Sequence, residues 1–134
     1  MTTTFYLQTD GGARGNPGPA GSGAVLFDHT GAVVGEWSRY VGETTNNQAE
    51  YKALIGGLEM AIEKGVKTLV VRMDSQLIVN QVKGTYRVKD AGLKLLFASV
   101  LGLTNKFDSI TFYHIPREQN KHADRLVNEA IDNH

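Results

Sequence analysis

Cysteine is absent from this sequence of 134 residues, so disulfide bonds and thiolate metal ligands are excluded. Long apolar runs are absent as well, since no stretch approaches the roughly 20 residues that a membrane-spanning helix needs. The first residues do not combine a basic region with an apolar region, as a signal peptide would. We therefore expect a cytoplasmic protein that has no membrane partner.

A surplus of positive charge is also missing. The 14 basic and 14 acidic residues give a formal net charge of zero, whereas many nucleic-acid-binding proteins are strongly basic. The overall charge therefore gives no support to a nucleic-acid ligand, and a functional hypothesis has to come from particular residues. The length and the 41% hydrophobic share favour one globular domain over residues 1–134.

Two hydrophobic periods alternate along the chain, one typical of strands and one typical of helices. The predicted strands are residues 4–9, 24–27, 32–41, 68–73 and 109–115. The predicted helices begin after Thr45, Ser75 and Asp90, and a last one carries residues 123–131. The glycine-rich segment 11–23 is predicted to be a turn that also allows close approach to a substrate.

The order of these elements is βββ-α-β-α-α-β-α. Short connections make the first three strands an antiparallel meander, while strands joined through helices are usually parallel. The sequence therefore predicts an α/β fold with a mixed five-stranded sheet, three strands antiparallel and then two parallel, with helices on both faces.

Four acidic residues fall at or near the ends of these elements: Asp10, Glu50, Asp74 and Asp124. Asp10 and Asp74 become neighbours if the first and fourth strands are adjacent. Neighbouring carboxylates repel, and two Mg²⁺ or Mn²⁺ ions about 4 Å apart would offset that repulsion and suit phosphodiester chemistry. Taken singly, each residue also has an ordinary explanation as a turn residue or as a partner of the helix dipole.

Four segments resemble, in the same order, the four motifs of the type 1 ribonucleases H. They are DGGARGNPGPAG at 10–21, TTNNQAE at 44–50, DSQ at 74–76 and PREQNKHAD at 116–124. The resemblance runs nearly from end to end, and it implies the ribonuclease H-like fold. It also implies an endonuclease that hydrolyses the RNA strand of RNA–DNA hybrids, leaving 5′-phosphate and 3′-hydroxyl ends.

The resemblance assigns roles to particular residues. Asp10, Glu50, Asp74 and Asp124 would be the catalytic carboxylates that bind two Mg²⁺ or Mn²⁺ ions, with Glu50 near the 2′-hydroxyl beside the cut. The substrate-binding positions would be Asn16, Thr45, Asn46, Asn47 and Gln76. Thr45 would hold a DNA phosphate and the four amides would contact RNA, although Asn46 and Asn47 could also act as helix caps. No protein partner is implied, and we expect a monomer.

Departures from the family pattern leave two questions open. The basic helix that many relatives carry is absent, so Lys83, Arg87 and Lys89 form either a small DNA contact or a solvated loop. His114 matches a mobile family histidine, but its strand position favours a structural residue facing the core, with Arg117 or His122 as substitutes. Two other functions are also considered: a domain that holds hybrids without cutting, which would lack a carboxylate, and a nuclease that cuts DNA.

Overall fold

A mixed sheet of five strands organises the structure, a computed structural model that describes residues 3–134. The strands are β1 Thr4–Ala13, β2 Gly18–Phe27, β3 Val33–Thr44, β4 Thr68–Met73 and β5 Ser109–His114. Their spatial order is β3-β2-β1-β4-β5. The β3–β2 and β2–β1 pairs are antiparallel, and the β1–β4 and β4–β5 pairs are parallel. The predicted fold class and element order are confirmed.

Helices cover both faces of the sheet. They are α1 Asn46–Glu63, α2 Gln76–Val82, α3 Ala91–Thr104 and α4 Lys121–Asp132, with a short 3-10 turn at Arg117–Gln119. Side chains of β2 show the division, because Leu26 packs into the main core with α1 and α3 while its neighbour Val25 packs against Leu126 of α4. No helix within residues 3–134 has the length and apolar character to cross a bilayer.

The predicted helix starts are confirmed. Thr45, Ser75 and Asp90 each accept a hydrogen bond from the backbone N–H three residues further on, at 3.2, 3.3 and 2.9 Å. In a capping box, the Gln48 side chain would also bond back to the backbone N–H of Thr45. Here that side chain accepts from Thr44 Oγ1 at 2.7 Å instead.

The prediction of a turn over residues 11–23 is wrong. β1 continues to Ala13 and β2 begins at Gly18, so only residues 14–17 lie between the strands. The glycines are present because helices lie directly on these strands. A Cβ atom at Gly11 would come within 2.3 Å of the Ala49 carbonyl carbon in α1, and one at Gly23 within 2.8 Å of the Ala123 oxygen in α4.

Candidate active site

Two carboxylates emerge side by side from adjacent parallel strands. Thr9 of β1 is in register with Met73 of β4, so the next residues, Asp10 and Asp74, lie at the same edge of the sheet. Both strands are central, which fixes the backbone under each carboxylate. The predicted proximity of Asp10 and Asp74 is confirmed.

Glu50 joins this pair from α1. Because Gly11 has no side chain, the first turns of α1 lie against β1 and bring the Glu50 side chain under the sheet edge. Asp10 is 8% exposed and Glu50 is 6% exposed. One oxygen from each of Asp10, Glu50 and Asp74 lies within 4.8 Å of the others. Three predicted site residues are therefore brought together at one point.

Asp124 borders the same cleft from the first turn of α4. It is partly buried, and it lies outside the group of three whose oxygens converge. Its negative charge nevertheless acts on Asp10. The cleft has a volume of about 500 Å³. Other residues that border it include Asn46, Asn47, Ser75 and Arg117.

Burial and mutual repulsion disfavour negative charge in this cleft. Burial, followed by the charge of Asp74, raises the pKa of Asp10 to about 7. Burial, followed by the charges of Asp10 and Asp74, raises the pKa of Glu50 well above its ordinary value. None of the ion pairs within residues 3–134 includes any of these three residues. Glu50 Oε2 is buried and has no hydrogen-bond partner among residues 3–134.

This donor set suits a hard divalent cation. Carboxylate oxygens are the ligands that Mg²⁺ and Mn²⁺ prefer. A cation among the converging oxygens of Asp10, Glu50 and Asp74 would supply both the missing partner of Glu50 and the missing positive charge.

Asn16 and Asn46 join the β1–β2 turn to the start of α1. Asn46 Oδ1 accepts from the Ala13 backbone N–H at 2.8 Å, and Asn16 Oδ1 accepts from the Asn46 backbone N–H at 3.0 Å. These bonds use the carbonyl oxygen of each amide and leave its amino group for another partner.

The remaining predicted substrate residues lie at two helix starts. Thr45 is the residue that caps α1, so the interpretation of Asn46 or Asn47 as the cap is wrong. Asn47 borders the cleft. Gln76 is exposed at the first position of α2 and lies outside the residues that line the cleft.

The interpretation of His114 as a core residue is wrong. His114 is exposed, because it is the last residue of an edge strand. Of the two substitutes, Arg117 borders the cleft, whereas His122 pairs with Glu36 and packs edge-on against Phe27.

Sequence reasoning missed Asn120, which is completely buried beside the carboxylates. Its Nδ2 group donates to the Thr9 carbonyl oxygen at 2.9 Å and to Asp74 Oδ2 at 3.1 Å. Its place within the segment 116–124, between two residues with predicted roles, is the only sequence signal that could have identified it.

Comparison with known proteins gives consistent matches along the chain. A family model described as reverse transcriptase-like matches residues 8–130. A ribonuclease H of Lachnoclostridium phytofermentans is 37% identical over 152 residues, covering 98% of this chain and 93% of that protein. A bifunctional protein of Mycobacterium tuberculosis is 44% identical over 128 residues, covering 94% of this chain. The chain corresponds to only 35% of that mycobacterial protein's length.

Solved structures with the same fold include one bound to nucleic acid. The structure of LC11-RNase H1 in complex with an RNA/DNA hybrid has a TM-score of 0.91 and 51% sequence identity. The match covers 96% of this chain and 96% of that chain.

Proposed function

The chain belongs to the ribonuclease H family, and we propose that it is an endonuclease that hydrolyses the RNA strand of RNA–DNA hybrids. The observation that carries this proposal is the convergence of oxygens from Asp10, Glu50 and Asp74 within 4.8 Å at the edge of the sheet. We propose that residues 1–134 make up one ribonuclease H domain.

We assign the metal-binding and catalytic role to Asp10, Glu50, Asp74 and Asp124, with two Mg²⁺ or Mn²⁺ ions as the cofactor. Two observations support this assignment. Within residues 3–134, the buried Glu50 Oε2 has no hydrogen-bond partner, and no cationic side chain forms an ion pair with Asp10, Glu50 or Asp74. Bound there, two such cations would supply the activation of water and the stabilisation of the leaving oxygen of a phosphodiester.

The protein's own contribution to the chemistry is rigid placement of charge. Asp10 and Asp74 are fixed by central strands, and Glu50 is held beneath them by α1. Asp124 approaches from α4 and is less buried than Asp10 and Glu50. We place Glu50 near the 2′-hydroxyl beside the cut, and we expect products with 5′-phosphate and 3′-hydroxyl ends.

We assign the selection of RNA to four amides, of which Asn46 and Asn47 border the cleft and Asn16 and Gln76 lie outside its lining. Asn16 and Asn46 have their carbonyl oxygens engaged, so each has an amino group available to donate to a 2′-hydroxyl or a minor-groove base edge. Asn47 and Gln76 would make further contacts of this kind. Thr45 caps α1, whose positive end suits the DNA phosphate that we assign to it.

A cleavage assay tests the proposal directly. The purified protein is incubated with end-labelled RNA–DNA hybrid, duplex RNA and duplex DNA, each with Mg²⁺, Mn²⁺ or a chelator. We expect cleavage of the RNA in the hybrid alone, only with metal, and with 3′-hydroxyl ends. Cleavage of duplex DNA would indicate a different nuclease. Hybrid binding without cleavage under every metal condition would indicate a binding domain.

The proposal requires no partner other than the hybrid. We propose a cytoplasmic monomer, and sedimentation of the purified protein with and without hybrid checks the monomeric state. A sedimenting particle with the mass of two chains in the sample without hybrid would contradict it.

A further inference from the structure

We infer that Asn120 is a positioning residue for the metal-binding carboxylates, an inference that rests on the proposed function. Asn120 itself touches neither the substrate nor the reacting atoms in this assignment. It acts through Asp74, whose Oδ2 accepts a hydrogen bond from Asn120 Nδ2 at 3.1 Å. That bond engages one oxygen of the Asp74 carboxylate and leaves Oδ1 for a cation.

The same amino group also fixes the strand that carries Asp10. Asn120 Nδ2 donates its second hydrogen bond to the Thr9 carbonyl oxygen at 2.9 Å. Thr9 immediately precedes Asp10, and 111 residues separate it from Asn120 in the sequence. One side chain therefore connects the end of β1 to the Asp74 carboxylate at the end of β4.

A third connection runs to α4. Asn120 is the residue before the helix, and its carbonyl oxygen accepts the backbone N–H of Asp124 at 3.1 Å. The position of α4, and with it Asp124, is thus linked to the two strand ends. Three of the four carboxylates are linked through Asn120, by its side chain or its backbone.

Chemistry explains why an amide suits this position. Asp74 lies beside Asp10 and Glu50, and a cationic side chain here would neutralise the charge that attracts a metal ion. A neutral amide donates to Asp74 without removing that charge. Asn120 is completely buried, and its Oδ1 has no hydrogen-bond partner within residues 3–134. Fold stability alone would not favour such an unpartnered oxygen, since a buried polar atom without a partner is destabilising.

Substitution of Asn120 by leucine tests the inference, because leucine has the same number and branching of side-chain heavy atoms and donates no hydrogen bond. We expect Asn120→Leu to weaken Mn²⁺ binding by about 10- to 100-fold, the usual effect of removing a group that orients a metal ligand. Metal binding is measured by calorimetric titration without nucleic acid. Hybrid cleavage should then require correspondingly more metal, while the Michaelis constant for hybrid at saturating metal changes little.

The matched control is Gln81→Leu. Gln81 is another buried amide, and its Oε1 accepts a hydrogen bond from the Tyr51 hydroxyl at 2.7 Å. Neither residue lines the cleft. Its loss should lower the melting temperature while Mn²⁺ affinity stays unchanged. If Asn120→Leu behaves in the same way, its role is structural and the inference is overturned.

A double substitution shows whether Asn120 acts through Asp74. Asn120→Leu should weaken metal binding much less in an Asp74→Asn protein than in the wild type, and equal losses in both would contradict the inference. If the leucine variant does not fold, Asn120→Ser, which keeps one donor, should show an intermediate loss of affinity, and wild-type affinity would overturn the inference. Failure of the wild-type protein itself to bind Mg²⁺ or Mn²⁺ would instead contradict the proposed function.

Discussion

The individual carboxylates buried in the cleft lower the stability of the metal-free protein. Asp10 and Glu50 are both largely buried, and each lies beside other negative groups. Uncompensated burial of charge is destabilising, so the metal-free protein carries an electrostatic penalty that a bound cation would relieve. The burial of neighbouring carboxylates that favours cation binding therefore also lowers the stability of the protein without a cation.

Replacement of Asp10 by asparagine should abolish cleavage and stabilise the metal-free protein. The pKa of Asp10 is raised from 3.8 to about 7 in the folded state. The unfolded chain therefore loses this proton first, and the free energy of unfolding falls as the pH rises through that window. Asparagine removes this effect, so we expect a larger gain in melting temperature at pH 8 than at pH 5, measured with a chelator present.

Asp108→Asn is the control for this substitution, because Asp108 is exposed and lies outside the cleft. It should leave both cleavage and the pH dependence of melting unchanged. Addition of Mg²⁺ should raise the melting temperature of the wild type at pH 8 more than that of Asp10→Asn. Near-normal cleavage by Asp10→Asn would contradict the assignment of the catalytic carboxylates.

At the level of strands and helices, the glycines of β1 and β2 decide where the carboxylates lie. Gly11 allows α1 to contact β1, and Gly21 and Gly23 allow α4 to contact β2. These two contacts position Glu50 and Asp124 on their helices. The site therefore depends on missing side chains in the sheet as much as on the carboxylates themselves.

Gly11→Ala should destabilise the fold strongly. The added Cβ would lie 2.3 Å from the Ala49 carbonyl carbon and 2.4 Å from the Glu50 nitrogen, both backbone atoms that cannot move alone. We expect a loss of about 3 kcal/mol or more in the free energy of unfolding, measured by urea denaturation. Gly12→Ala is the control, since its Cβ would meet no atom closer than Val127 Cγ1 at 3.9 Å. Equal stability of the two variants would show that α1 can shift away from β1.

The same glycines mark the limit of prediction from the sequence. Periodicity and capping residues identified every strand and helix and their order, because these signals are local. The segment 11–23 was predicted to be a turn because glycine also marks turns, and no local pattern tells which helix packs over a strand. Asn120 was missed for a related reason, since its partner Thr9 lies 111 residues away. The prediction for His114 is wrong because alternation along β5 shows which residues share a face, but it does not show how far along an edge strand the packed helices extend.

For the whole molecule, the residues proposed to select the substrate lie on several elements. Asn16 lies between β1 and β2, Asn46 and Asn47 begin α1, and Gln76 begins α2. If these residues contact successive 2′-hydroxyls, several adjacent ribonucleotides must be present together. A DNA strand with one embedded ribonucleotide should be cut far more slowly than a strand with four, each paired with DNA. Equal initial rates on the two substrates would contradict the proposed roles of these amides.

Binding of the hybrid should be weak and should depend only shallowly on salt. The formal net charge is zero, and each phosphate that a protein neutralises contributes roughly 0.7 to 0.9 to the slope of log affinity against log salt. Lys83, Arg87 and Lys89, here called the loop cluster, are exposed and take part in none of the ion pairs found in residues 3–134. Replacing all three by alanine should raise the Michaelis constant, lower the slope further and leave turnover nearly unchanged.

The salt series is measured with an inactive Asp10→Asn protein, so that the hybrid stays intact. A triple alanine variant of Lys64, Lys67 and Lys106 makes the same change in net charge at exposed positions near the end of α1, the start of β4 and the end of α3. These positions lie away from the strand ends that carry Asp10 and Asp74, so this control should not alter the slope. If both variants lower the slope equally, the hybrid senses overall charge rather than the loop cluster. If neither does, the loop cluster is a solvated loop, and the phosphate contacts must come from elsewhere on the surface.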